Sequence, residues 1–406
     1  MKDESVEGYL IVNVYADNIA LPIEGAKVLF NGKEYFTDED GKTPLLPGFT
    51  VERKYSLEPQ SQVEPFKLYD IEVSKMGLVT TVIKQIAIYE GITAVEDVFL
   101  MPELENNQSK VVSLTSSEIW ESNTPKIFEE FSGNRPQSIV LNQVVIPQYI
   151  IVHDGIPTNV SAANYSIRFV DYIKNVACSE IYSTWPPECI KANCYCIISF
   201  ALNRIYTEWY KSKGYISFDI TSSSAYDQKF TYGRPIYDTI SNIVNEIFNE
   251  YIVKENVEGP LLALYCDGIT SNYSGWFKQW GSKDLAEKGF KALEILRYYF
   301  GKNISLQKAN VVDFGISSYP GISLKKGDCS RDVQILQNYL NYITGSYPGI
   351  PKCNSDGNYT STTGFTVEKF QEVFRLPVTG ITDFATWYKV SYLYVAVKKM
   401  LNGVYL

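Results

Sequence analysis

The stretch from 187 to about 210 is apolar on nearly every side of the helix it would form, through Cys189, Ile190, Ala192, Cys194, Cys196, Ile197, Ile198, Phe200, Ala201 and Leu202. A helix without a polar face is stable only inside a core, so this segment predicts a central helix with others packed around it. Trp185-Pro186-Pro187 precedes it, and proline is tolerated in a first helical turn, so these residues stop one helix and open the next. Before that break, Val170 to Tyr182 places Ile173, Val176, Ala177 and Ile181 at helical spacing. After the central helix, Pro235 to Val253 predicts an amphipathic helix through Ile236, Ile240, Ile243, Ile247 and Tyr251. Leu261 to Tyr265 predicts a buried strand, and Ser282 to Phe300 a helix ended by Gly301.

The rest of the chain has a different grain. Residues 8 to about 102 read as short antiparallel strands, among them Gly8 to Tyr15, Ala26 to Phe30, Tyr69 to Val73, Thr80 to Ile83 and Ile86 to Tyr89. Asn31-Gly32 and Asp40-Gly41 are two-residue hairpin signals. Pro22 to Val28 followed by Thr37 to Gly41 resembles the transthyretin-like, or carboxypeptidase-regulatory-like, β-sandwich. Polar and Pro/Gly punctuation between 105 and 143 marks a linker, with one short helix near Ile127 to Phe131. The expected architecture is therefore multidomain: a β-sandwich over 1–104, a linker over 105–143, a mixed α+β domain over 144–325 and a small helical domain over 326–406.

Composition removes several functions. Lys and Arg number 37 against 46 Asp and Glu, a net charge of −9, which opposes binding to a phosphate backbone and predicts no nucleic-acid partner. No run approaches the ~20 apolar residues of a membrane span, and Met1 to Ser5 lacks the basic and apolar regions of a secretory signal. The seven cysteines are an odd count, with four clustered in helical sequence, so they read as small buried hydrophobes and not as a disulfide framework. His153 is the single histidine, which excludes histidine-rich metal sites; no metal and no cofactor are expected.

Glu180 is the candidate catalytic residue. Ile173, Val176 and Glu180 stand at i, i+3 and i+7, so the carboxylate projects from the apolar face of its helix, one turn before the proline break. Burial there disfavours the charged form and suits a general acid near neutrality. The segment from Val176 to Ala192, with Ser179-Glu180-Ile181, Trp185-Pro186-Pro187 and Lys191-Ala192, resembles the stage II sporulation protein D family of peptidoglycan lytic transglycosylases. That resemblance places the family's catalytic glutamate on Glu180. Ser223, Tyr226, Gln228, Tyr232 and Gly233 resemble the family's Gln-x-Tyr-x-Gly segment in looser spacing, and Ala263 to Gly268 its strand before a glycine-rich loop. Tyr226, Asp227, Gln228 and Tyr232 are accordingly candidate substrate-groove residues. Asn193 and Ile198 stand where the family has Gln and Arg.

The order of parts, with Tyr149 to Gly155 and Asn203 to Tyr210, further resembles the clostridial spore cortex-lytic enzymes, germination-specific lytic transglycosylases. At the C-terminus, Val333, Leu336-Gln337, Asp356-Gly357, Val367, Phe370-Gln371, Thr379-Gly380 and Trp387 resemble the three-helix peptidoglycan-binding module. The resemblance implies a substrate, spore cortex peptidoglycan containing muramic δ-lactam, and a zymogen cut near Gln143-Val144 by a germination serine protease. It also implies residence in the spore. A zinc amidase on the same polymer competes poorly, because such amidases need two histidines. A non-catalytic peptidoglycan-binding or amidase-stimulating scaffold is the other alternative.

Overall fold

The computed structural model describes residues 6–16, 21–59, 61–103, 110–113, 144–309 and 323–383, with further positions between 386 and 397. The protein is multidomain, of mixed α/β class, with a C-terminal helical region. It divides into two compact units. The first holds Met1–Val144, Val170–Trp209 and Thr221–Ala309; the second holds Val145–Phe169, Tyr210–Ile220 and Asn310–Leu406. Both the short helix expected near Ile127 to Phe131 and the linker from 114 onward lie outside the described residues.

Two sheets form the N-terminal part of the first unit. In one, Val6–Ala16 pairs in parallel with Thr93–Leu100 and antiparallel with Leu46–Thr50 and Leu21–Pro22. In the other, Lys33–Phe36, Lys27–Phe30, Lys67–Ser74, Thr81–Ile88 and Lys110–Ser113 lie side by side. Alternation sets the faces: Leu10, Val12 and Val14 on the long strand, and Val28 and Phe30 opposite, are fully buried. Asn31 and Gly32 turn the hairpin with φ of 49° and 73°, the left-handed pair that a tight two-residue turn needs. Asp40-Gly41 makes no such hairpin. There the Asp38 carboxylate accepts from the amides of Asp40 and Lys42 and closes a loop.

The helices are α1 (Phe169–Glu180), α2 (Pro187–Tyr206), α3 (Asp238–Ile247), α4 (Gln279–Glu287), α5 (Ala292–Phe300), α6 (Arg331–Ile343) and α7 (Ser361–Val373). In α2, 15 of 20 residues are buried, and it packs against α3, α4, α5 and the strand Glu250–Lys254, the central position its composition demands. Pro187 fills its first turn. The predicted helix from Pro235 to Val253 is corrected in the structure. Ile236–Tyr237 is a strand, α3 follows, and Glu250–Lys254 is a strand paired with Ile304–Lys308, because both ends find backbone partners far along the chain. Gly289, at φ 90°, splits the long predicted helix into α4 and α5, and the Glu294 carboxylate accepts from the Lys291 amide to start the second. Of the strand expected over Leu261 to Tyr265, only Tyr265–Cys266 forms, parallel to Phe277–Lys278.

Ile236–Tyr237 extends the N-terminal sheet, pairing Ile236 with Val95 and Tyr237 with Ala94. Tyr237 packs edge-on against Tyr89 at 5.1 Å, and Trp185 Nε1 donates to the Ser56 carbonyl at 2.9 Å. The two sheets and the helices of this unit thus share one core. Within it, Glu96 is buried and its Oε2 has no hydrogen-bond partner among the described residues. Burial, then the charge of Asp97, pushes its carboxyl well above the usual range, and Arg234 opposes the shift. The neutral acid is therefore the form that the fold favours. Its contribution is complete below about pH 4.3, the unfolded value, and falls as pH rises toward the raised folded value. Urea denaturation between about pH 4.5 and about pH 7.5 is expected to show wild type losing up to about 1.4 kcal/mol per pH unit relative to Glu96→Gln. Parallel slopes for the two proteins would refute this.

The second unit contains the hairpin Tyr149–His153 with Asn164–Arg168, and helices α6 and α7. Two buried glutamines tie its loops. Gln337 donates to the Asn358 carbonyl at 2.8 Å and accepts from the Gly357 amide at 2.9 Å. Gln371 donates to the Ile381 carbonyl at 2.9 Å and accepts from the amides of Thr379 and Gly380 at 2.8 and 3.0 Å. Ser330 caps α6 through the Val333 amide. Helical turns at 386–387, 389–391 and 393–394 bring Trp387 into this core.

Candidate active site

Glu180 is the last residue of α1 and is 7% exposed, which is where its i+7 relation to Ile173 puts it. The loop after Thr221 is strapped along α1. Asn175 exchanges hydrogen bonds with the Thr231 backbone at 2.8 and 3.0 Å, Arg234 donates to the Cys178 carbonyl at 3.3 Å, and the Lys229 amide donates to Glu180 Oε1 at 2.8 Å. The carboxylate is thereby fixed by backbone on one side.

On the other side stands Tyr265, at the start of its short strand. Burial, then the charge of Glu180 and a hydrogen bond to it, pushes the Tyr265 phenol well above its ordinary value, so it remains a proton donor toward the carboxylate. The phenol oxygen accepts from Gln228 Nε2 at 3.1 Å, which also donates to the Ile197 carbonyl at 3.2 Å. Gln228 Oε1 accepts from Tyr172 at 3.0 Å. Tyr172, Gln228, Tyr265 and Glu180 form one buried polar chain seated on α2. In so dry a setting each hydrogen bond orients the next group rigidly.

The four groove candidates separate. Gln228 is fully buried and reaches Glu180 only through Tyr265. Asp227 is also fully buried, accepting from Arg204 Nε at 2.8 Å, from the Thr221 amide at 2.9 Å and from Thr221 Oγ1 at 2.7 Å. The Arg204 guanidinium is covered by Trp209 at 4.4 Å and Phe200 at 4.8 Å. Tyr226 is half-buried and its carbonyl accepts from Arg204, whereas Tyr232 is exposed. Of the four, Tyr232 is the exposed one, at 50%. Gln143 lies outside the described residues, and Val144 is half-buried.

Other acids near the expected glycine-rich loop are committed. Burial pushes the Asp267 carboxyl up, and hydrogen bonds from Thr270 and Ser271 overcome this and hold it below its ordinary value. The seven cysteines are free, and burial raises the thiols of Cys178 and Cys189 to about 12, so they behave as apolar filling. Among the described residues, no cluster of three or more His, Cys, Asp or Glu could hold a metal, and no helix is long and apolar enough to cross a membrane. Sequence reasoning missed Tyr172 and Tyr265. Tyr172 stands eight residues before Glu180, on the same helical stripe through Val176, which was a visible signal. Tyr265 had none beyond its strand.

The sequence profile of the peptidoglycan binding domain family matches residues 330–390. This is the stretch tied by Ser330, Gln337 and Gln371, so the C-terminal helical region holds a peptidoglycan-binding domain and supports a cell-wall-binding protein. No curated protein matches the chain significantly.

Proposed function

We propose that the chain is the zymogen of a peptidoglycan lytic transglycosylase acting through Glu180. The observation that carries the reading is a single carboxylate at a helix end, held by the Lys229 amide and the Tyr265 phenol, in a protein with a peptidoglycan-binding domain. Protonated Glu180 gives its proton to the oxygen between N-acetylmuramic acid and N-acetylglucosamine, and the C1–O bond breaks. The muramoyl 6-hydroxyl then attacks C1 and returns its proton to the carboxylate, closing a 1,6-anhydro ring. Water is not consumed, so the second carboxylate of an ordinary glycosidase is unnecessary.

The substrate is spore cortex peptidoglycan with muramic δ-lactam, and the protein resides in the spore. The N-terminal sheets are a transthyretin-like sandwich, and the C-terminal domain is the three-helix type. Latency follows from the burial of Glu180 in the intact chain, beside a region that joins the N-terminal sheets through Ser56, Thr184 and Trp185. A germination serine protease cuts near Gln143-Val144. The two sides of that cut share a sheet, so the cut activates by loosening the pairing of Ile236–Tyr237 with the N-terminal region.

Mass spectrometry of fragments released from decoated spore cortex, by the intact chain and by the chain nicked in the linker, tests this. Anhydromuramic ends from the nicked protein alone are expected. Reducing ends would mean a hydrolase, free stem peptides an amidase, and no fragments from either form a binding scaffold. Equal rates from both forms would remove the latency.

A further inference from the structure

The single histidine, which the proposed chemistry leaves unused, sits in a second site. His153 ends the strand Tyr149–His153 and is 4% exposed. Its Nδ1 is 2.8 Å from Asn164 Oδ1, its Nε2 is 3.1 Å from the Ile156 carbonyl, and its ring stacks on Phe218 at 4.5 Å and 18°. Phe218 in turn meets Tyr210 at 4.9 Å and Tyr215 at 5.7 Å. Around these rings opens a cavity of about 420 Å³ whose wall includes Pro157, Val160 and Ala162 and whose polar edge includes Thr158, Asn164 and Ser217. That volume falls in the ~300–1,000 Å³ range of small-ligand sites.

We propose that this cavity is a glycan subsite that takes an N-acetylhexosamine ring of the polymer. The inference rests on the peptidoglycan-binding reading of the C-terminal domain, and extends it to residues far away in sequence. A pyranose has one face of C–H bonds and an edge of hydroxyls, which suits rigid rings bordered by hydroxyl and amide groups. The small apolar wall of Pro157, Val160 and Ala162 accommodates an acetamido methyl. The segments that line the cavity pack in one unit with the matched domain. Both lie in the second compact unit, and the Arg331 guanidinium, at the start of α6, covers the ring of Tyr149 at 5.3 Å on the strand that ends in His153. A glycan strand held by the C-terminal helices therefore has an aromatic second foothold in the same compact unit.

The test uses the full-length chain with purified peptidoglycan sacculi and with a β-1,4-linked N-acetylglucosamine tetramer as the soluble probe. Tyr215→Ala removes a ring, and Val160→Arg crowds the mouth at a side chain that is 99% exposed, so the second variant leaves the fold untouched. Both are expected to bind sacculi roughly tenfold more weakly, the loss typical of removing one anchor, and to lose tetramer saturation-transfer signals. Undiminished binding by both variants, with wild type bound, overturns the subsite and leaves the C-terminal domain's role standing. Wild type that fails to bind sacculi overturns both.

Discussion

Replacing Glu180 by Gln is expected to reduce release of anhydromuramic fragments by about 10²–10⁴-fold, the span that a positioned general acid and base contributes. The amide keeps an oxygen for the Lys229 amide and nearly the same volume, so the melting temperature should stay close to that of wild type. Tyr265→Phe is expected to give a smaller loss, of roughly tenfold, expressed in kcat more than in KM, because the phenol holds the acid and not the glycan. Steady-state assays of the nicked protein on cortex, with thermal melts alongside, check both. Full activity of Glu180→Gln would remove the mechanism outright.

Asp227→Ala is expected to destabilise the fold by about 3–5 kcal/mol, since it strands the guanidinium of Arg204, itself 6% exposed, without its partner. The Thr221 amide and hydroxyl lose their acceptor in the same change. Urea denaturation measures the loss. Activity per folded molecule should be kept, which separates a structural tie from the groove role that its place in the loop suggested. A stable Asp227→Ala protein with a raised KM for glycan would restore the groove role.

These two residues mark how far a linear reading reaches. Glu180 could be placed because helical spacing relates it to Ile173 and Val176, and α2 because a segment apolar all round has only one environment open to it. The C-terminal domain was legible as a resemblance carried by Val333, Leu336-Gln337, Phe370-Gln371 and Trp387, and the structure shows Gln337 and Gln371 of that pattern tying its loops. Adjacent polar residues 226–228 gave no such guide. The resemblance suggested a substrate groove, whereas Asp227 and Gln228 turn inward because Arg204 and Tyr265 wait there, from α2 and from a strand that follows much later. Ile236 and Tyr251 likewise satisfied a helical period and were claimed by strands.

Periodicity and proline and glycine placement act over one or two turns of chain, and they determined the central helix and the break after Glu180. Tertiary structure alone decided which partners met. It added Ile236–Tyr237 to the N-terminal sheet, set Tyr265 against Glu180, and grouped the hairpin at Tyr149 with the C-terminal helices. The physical reason is that burying a polar or charged group demands a specific partner, and the partner's distance along the chain carries no cost that sequence spacing reveals.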